Sequence, residues 1–237
     1  MFYLGFGAVL GIFHIMQVIA LKIGYQAHKR TVDFMVSFLN ASLLIVGARR
    51  KVINRAGNLP IGQPMIIVSN HQSMFDVPSI GRIFRKHHPK YIAKKSLSKG
   101  VPSISINIQK GGSVSIDRKD KEGALRKIEK FTDYLNLNSY AGTIFPEGTR
   151  SKDGRVADFK PSGLKIMIES MPTAIIVPVA LQNFWQIGKY RMKPIPFGIP
   201  LRCTVLPPIE RAGKSTAEII ALLETQIRET AEEGLAV

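Results

Sequence analysis

The apolar positions of this chain fall into two regimes. From Met1 to Leu21 there is no formal charge, and His14 and Gln17 are the only strongly polar side chains, so the segment approaches the length of a membrane-spanning helix. Lys22 and the group His28-Lys29-Arg30 interrupt it, and a second apolar stretch runs from Phe34 to Ala48 and closes on Arg49-Arg50-Lys51. Two apolar helices with basic ends fit a hairpin dipping into one leaflet, one span with an interfacial partner, or a buried hairpin inside a soluble core. No basic residue precedes the first run and no convincing small-residue cleavage site follows it, which argues against a secretory signal. The reading is a membrane-anchoring segment over residues 1–57, with a main domain over 58–237 kept on the cytoplasmic side by the flanking basic clusters.

Past Asn58–Pro64, which Pro60, Gly62 and Pro64 mark as a junction, the pattern changes to short apolar runs alternating with helical periodicity. Strands are predicted over Met65–Ser69, Tyr91–Ala93, Ser113–Ile116, Gly142–Phe145, Ala174–Ala180 and Leu201–Leu206. Helices are predicted over Pro78–Lys86, Asp120–Leu137 and Ser162–Ser170, and Ser215-Thr216-Ala217-Glu218 reads as the capping box of a last one. This alternation is that of a single α/β domain, whose strand ends are available for chemistry.

Charge then narrows the partners. Lys and Arg outnumber Asp and Glu by 33 to 17 in 237 residues, a formal charge of +16, which calls for an anionic partner. Paired-cysteine fingers, RNA-binding aromatic strands and an arginine-rich recognition helix are all missing, so nucleic acid is not expected, and the apolar front favours an anionic phospholipid membrane. Cys203 is the single cysteine, which leaves no intrachain disulfide and no cysteine-rich metal site, and its apolar run assigns it to the core.

Three motifs carry chemistry. The run Met65–Ser69 empties into Asn70-His71-Gln72-Ser73-Met74-Phe75-Asp76, a histidine just past a strand end with a carboxylate one turn away. Asp76 is then the group that fixes the tautomer and supports the imidazolium, and His71 the base. An ordinary hydrogen-bonded pair is the competing reading, while a metal site lacks a third ligand at recognisable spacing. No Gly-x-Ser-x-Gly elbow supplies a nucleophile, which leaves that part to a substrate hydroxyl. Between Asp76 and Asp117 there is no acidic residue, while basic residues including Lys90, Lys94 and Lys95 accumulate. A solvated face accounts for most of them, as it does for His87-His88. Arg118, after Ser113–Ile116, and Arg150, after Gly142–Phe145, are each presented where a strand ends, and two guanidinium forks suit a phosphomonoester. Glu147 is expected at glycerol hydroxyls or as a brace that holds Arg150 and the loop in place, and Lys160 as a third phosphate contact or a partner of the donor's phosphates.

Taken together the motifs resemble the glycerolipid acyltransferase family, in particular bacterial 1-acylglycerol-3-phosphate acyltransferases. Asn70–Asp76 resembles its first block, Gly112–Arg118 the second, Phe145-Pro146-Glu147-Gly148-Thr149-Arg150 the third and Val177-Pro178-Val179-Ala180 the fourth, in order from about Gly62 to Ala180. The resemblance implies an α/β fold with one mixed sheet and an N-terminal membrane-associated helical hairpin. It implies His71 and Asp76 as catalytic, and Arg118, Glu147, Gly148, Thr149, Arg150 and Lys160 as substrate-binding. The implied reaction moves a fatty acyl group from acyl-CoA or acyl carrier protein to the sn-2 hydroxyl of lysophosphatidate, forming phosphatidate without metal or cofactor at the cytoplasmic face of a bacterial inner membrane. Acylation of glycerol-3-phosphate or another lysolipid remains the nearest alternative, and a non-catalytic protein of anionic membranes the more distant one.

Overall fold

The computed structural model describes residues 1–235. Helix α1 (Phe2–Ile23) turns at Gly24 into the antiparallel α2 (Tyr25–Ser42), and a short 3-10 turn, Leu43–Val46, leads into strand β1 (Arg49–Asn54). There follow β2 (Met65–Ser69), α3 (Asp76–Ile83), β3 (Lys90–Lys94), α4 (Ile104–Lys110), β4 (Val114–Ile116), α5 (Lys121–Asn138) and β5 (Ala141–Ile144). The rest is α6 (Pro161–Ser170), β6 (Ile175–Gln182), α7 (Trp185–Gly188), β7 (Pro200–Val205) and α8 (Thr216–Glu232).

The seven strands form one mixed sheet in the order β1-β7-β6-β2-β5-β3-β4. From β6 to β4 the strands are parallel, whereas β7 pairs antiparallel with β6 and β1 pairs parallel with β7. Strand β2 is buried along its whole length, as expected of a central strand with both faces covered. Its alternate residues divide between two cores. Ile66 and Val68 pack with side chains of α5, α6 and α8, while Met65 and Ile67 pack with Phe75, Ile80 and Phe84 beneath the first residues of α1. The capping box closes as read: the Ser215 amide donates to Glu218 Oε2 at 2.7 Å and the Glu218 amide donates to Ser215 Oγ at 3.3 Å.

The helical pair is fastened to the domain along its length. Phe2 and Phe6 face the ring of Phe75, the Ser103 hydroxyl donates to the Leu10 carbonyl at 2.7 Å, and the Asn40 amide nitrogen donates to the Pro78 carbonyl at 2.8 Å. Leu10, Phe13, Met35 and Leu39 join the helices to each other, and α1 leaves Leu4, Ile12, Ile15, Ile19 and Ile23 exposed. An apolar face of that size is not a core hairpin.

Several expectations change. Strand β1 joins the sheet from inside the segment assigned to the anchor, so the sheet begins before the boundary drawn at residue 58. Its basic residues read as a membrane flank because an edge strand held only by β7 has no apolar face of its own. His87 and His88 are not a solvated helix end. Both are half-buried; His88 stacks on Tyr140 at 4.8 Å and its Nδ1 lies 2.9 Å from the Tyr25 hydroxyl, and burial lowers the pKa of each. Lys90 likewise leaves the solvated face, being buried at the start of β3.

Candidate active site

Because β2, β5, β3 and β4 run parallel, their C-terminal ends share one rim, and the loops that follow three of them carry His71, Arg150 and Arg118. Such a rim is where open α/β sheets bind ligands. His71 is held at every point but one. Its Nδ1 lies 2.7 Å from Asp76 Oδ2, its amide donates to Glu147 Oε1 at 2.6 Å, and its carbonyl accepts from the Ser151 amide at 2.8 Å. The ring stacks on Phe145 at 4.3 Å. Nε2 carries no hydrogen bond among the described residues, and His71 lines the cleft described below.

Asp76 is fully buried as the first residue of α3, where the helix dipole favours a carboxylate. Its Oδ2 also accepts the amides of Gln72 at 2.6 Å and Ser73 at 2.8 Å, so the loop folds around the carboxylate and fixes the ring tautomer. Two neighbours in the same motif, Asn70 and Gln72, are fasteners. The Asn70 side chain donates to the Leu181 carbonyl at 2.9 Å and accepts its amide at 2.8 Å, clamping the end of β2 to β6. Gln72 accepts from the Phe184 amide at 3.0 Å and donates to the Gly154 carbonyl at 3.1 Å. Their place in the polar run directly after an apolar strand was the only signal in the sequence.

Glu147 is buried and its two oxygens are both engaged by backbone, the His71 amide and the Ala157 amide at 2.9 Å. Burial raises its pKa while those amides pull it back. Among the described residues it makes no ion pair or hydrogen bond with Arg150 and does not line the cleft; the groups it holds are the His71 and Ala157 amides of the loop backbone. Gly148 follows at φ 72, a left-handed conformation, and the Lys160 ammonium stands over it, 3.2 Å from where a Cβ would project.

A cleft of 980 Å³ opens beside His71 between the sheet and the helical pair. Val32, Met35, Val36 and Leu39 of α2 form one wall, with Tyr91, Ile92, Ile108 and Ile144 opposite, while Arg118, Gly148, Thr149, Arg150 and Lys160 line its polar part. Among the described residues none of Arg118, Arg150 and Lys160 has a carboxylate within ion-pair distance, which leaves three cations for an anionic group. Lys90 is also on the wall. Its ammonium donates to the Gly111 carbonyl at 2.7 Å and the Tyr25 hydroxyl at 3.0 Å and sits 5.0 Å from the rings of Tyr25 and Tyr140. Burial lowers its pKa to about 8. No group of three or more His, Cys, Asp or Glu side chains that would hold a metal ion is found among the described residues.

The molecule is thus a mixed α/β sheet with a histidine–aspartate pair on its rim, at the cationic mouth of an apolar cleft. Residues 50–182 match the family model described as Acyltransferase, and the chain belongs to that family. It is 26% identical over 195 residues to mouse 1-acyl-sn-glycerol-3-phosphate acyltransferase alpha, covering 78% of this chain and 66% of that protein. It is 28% identical over 167 residues to the chloroplastic 1-acyl-sn-glycerol-3-phosphate acyltransferase LPAT1 of Arabidopsis thaliana, covering 69% and 44% of the two. The chain thus spans less than two thirds of the length of these relatives. The crystal structure of the 1-acyl-sn-glycerophosphate (LPA) acyltransferase PlsC from Thermotoga maritima has the same fold, with a TM-score of 0.77, 21% identity and coverage of 100% of this chain and 94% of that one.

Proposed function

We propose that the chain transfers a fatty acyl group from a thioester, acyl-CoA or acyl carrier protein, to the sn-2 hydroxyl of 1-acyl-sn-glycerol-3-phosphate, forming phosphatidate. The observation that carries the reading is the 2.7 Å His71–Asp76 pair beside unpaired arginines at the mouth of an apolar cleft. Nε2 of His71 takes the hydroxyl proton as the oxygen attacks the thioester carbonyl. The tetrahedral intermediate collapses with loss of the thiolate, and the imidazolium returns the proton to that sulfur. Asp76 stabilises the charged ring through the transfer. Arg118, Arg150 and Lys160 hold the acceptor phosphate, and Gly148 and Thr149 complete the loop that receives it, so that binding energy becomes orientation. The names of the mouse and Arabidopsis relatives, both 1-acyl-sn-glycerol-3-phosphate acyltransferases, support this acceptor.

The same reading takes the α1–α2 pair as the membrane anchor. One helix, Phe2–Ile23, is long and apolar enough to cross a membrane. Its ties to Phe75 and Ser103 keep it alongside the domain instead of projecting as a free span, which favours insertion into one leaflet with α2 shared between lipid and cleft. Basic clusters at Lys29-Arg30 and Arg49-Arg50-Lys51 favour the cytoplasmic face of a bacterial inner membrane.

The test is thioester-dependent acyl transfer by the purified chain in mixed vesicles, with lysophosphatidate, glycerol-3-phosphate and neutral lysolipids offered in parallel and His71→Ala as control. Conversion of lysophosphatidate alone, with a folded and inactive control, is expected. Preference for glycerol-3-phosphate removes the acceptor and keeps the base, and an active His71→Ala chain removes the mechanism.

A further inference from the structure

The catalytic rim has a second flank, and it is built for a different contact. Strands β7 and β1 run against β2, so their first residues, Pro200 and Arg49, lie at the edge where β2 delivers His71. The loop that returns the chain to β7, residues 189–199, therefore hangs on this rim, on the side of the sheet away from Arg118. It carries Lys189, Arg191 and Lys193, and it presents Phe197 at 83% exposure.

Phe197 is not an isolated exposed ring. It lies against Gly47, where a Cβ would stand 2.6 Å from the ring, and the Gly198 amide donates to the Val46 carbonyl at 2.9 Å. Gly47 at φ 67 is thereby doubly required, by its left-handed backbone and by the aromatic face over it. The adjoining 3-10 turn shows Leu44 and Ile45 at 64% and 47% exposure, and Ile45 in turn reaches Gly5 of α1 at 3.1 Å from its Cβ position. An apolar strip thus continues from the exposed face of α1 through Leu44 and Ile45 to Phe197.

Cations border the strip. Arg49 and Lys51 on β1 and the three of the loop have no carboxylate within ion-pair distance among the described residues. Apolar side chains edged by unpaired Lys and Arg match the acyl boundary and anionic headgroups of a bilayer, and the same positive edge repels a second copy of this chain.

We propose that the loop 189–199, with Leu44 and Ile45, is a second lipid contact that seats on anionic phospholipid headgroups. It rests on the reading of α1–α2 as the membrane anchor and adds to it. A hairpin alone leaves the domain free to roll about its axis, whereas a contact on the far flank of the rim fixes that roll with the cleft mouth toward the bilayer.

Site-specific labelling of the full chain tests this. Cys203 is fully buried and burial pushes its thiol up to about 12, so it stays unlabelled in the folded protein. A polarity-sensitive fluorophore is attached in turn to Phe197→Cys, to Ile15→Cys on the exposed face of α1, and to Leu222→Cys on α8 across the sheet. Each is read with vesicles of equal parts phosphatidylglycerol and phosphatidylcholine carrying nitroxide-labelled lipid. Quenching at 197 and 15 but not at 222 is expected, with loss of the signal at 197 alone in pure phosphatidylcholine. Replacing Lys189, Arg191 and Lys193 by Gln is expected to cut the ratio of quenched to unquenched probe at 197 by about fivefold for each cation. A probe at 197 that stays in water while 15 is quenched overturns the second contact and leaves the anchor standing. Lack of quenching at both positions overturns both. Equal quenching of 197 on neutral vesicles removes the anionic headgroup as its partner, and burial of 197 without vesicles makes a second copy the occupant.

Discussion

Replacing Glu147 by Gln separates a brace from a substrate contact. The carboxylate accepts the His71 amide at 2.6 Å and the Ala157 amide at 2.9 Å from a buried position. Gln keeps one oxygen, so its NH2 group must confront one of two N–H donors. The change loses a charge-assisted hydrogen bond, about 1.5–3 kcal/mol, and leaves a buried donor unpaired for about 1–3 kcal/mol more. For a domain of this size a net loss of about 3 kcal/mol lowers Tm by roughly 6–12 °C. Because the bond at stake positions the backbone of His71, a shift of the ring by about 1 Å is expected to lower kcat by about 100-fold. KM for the acceptor should change little, since no atom of Glu147 reaches the cleft wall. Steady-state acyl transfer at varied lysophosphatidate, with circular dichroism to verify folding, reads both constants. A raised KM with kcat intact would refute the reasoning and return Glu147 to the glycerol hydroxyls.

Asp76→Asn should lower kcat by about 10³–10⁴-fold, because the loop amides and His71 Nδ1 share one oxygen: an amide oxygen there keeps both bonds but carries no charge to stabilise the imidazolium, and an NH2 there forces the wrong tautomer and frees the loop; retention of a tenth of the activity would remove Asp76 from the mechanism. Arg118→Ala and Arg150→Ala should each lower kcat/KM for a phosphate-bearing acceptor by about 10- to 100-fold, with any slow reaction of a neutral lysolipid unaffected. A loss shared by both acceptors would instead point to the donor. Lys90 has its pKa lowered from 10.5 to about 8, so between those values the unfolded chain holds a proton that the folded one has released and stability rises with pH, by up to about 3 kcal/mol. Chemical denaturation should therefore find the difference in stability between Lys90→Met and the natural chain shifting in favour of the latter from pH 7.5 to 10.5, and a difference constant with pH would show that Lys90 is not desolvated.

Residues that combine a strong local signal with a strand end were legible. The run Met65–Ser69 is continuous and apolar, so its being a strand and the delivery of His71 past its end followed from pattern alone, while its place at the sheet centre did not. Arg118 and Arg150 were found by the same logic. Their meeting on one rim needed parallel pairing, which sequence periodicity does not encode. Strand β1 escaped because its register is supplied wholly by β7, and α4 because Ser103-Ile104-Ser105-Ile106 alternates with the period of a strand while the tie from Ser103 to Leu10 of α1 selects a helix. Lys90 was hidden among surface lysines, since only the tertiary arrangement brings Tyr25 and Tyr140 about its ammonium. Glu147 was ambiguous for a similar reason. Which of two neighbours a carboxylate serves is decided by where backbone amides point.

The contact of Phe2 and Phe6 with Phe75, at 6.1 and 5.7 Å between ring centroids, ties helix α1 to the loop that carries the proposed base. Phe75 is the residue before Asp76, so the two rings of α1 form the ceiling over the loop that orients the base. Clipping α1 to obtain a water-soluble enzyme would bare Phe75 and one wall of the cleft together. The shortened chain would lose its activity before its membrane affinity could be judged, since α2 would remain with a newly uncovered apolar face. Solubility in this molecule has to come from exchanging the outward residues of α1, such as Ile12, Ile15 and Ile19, and not from removing the helix.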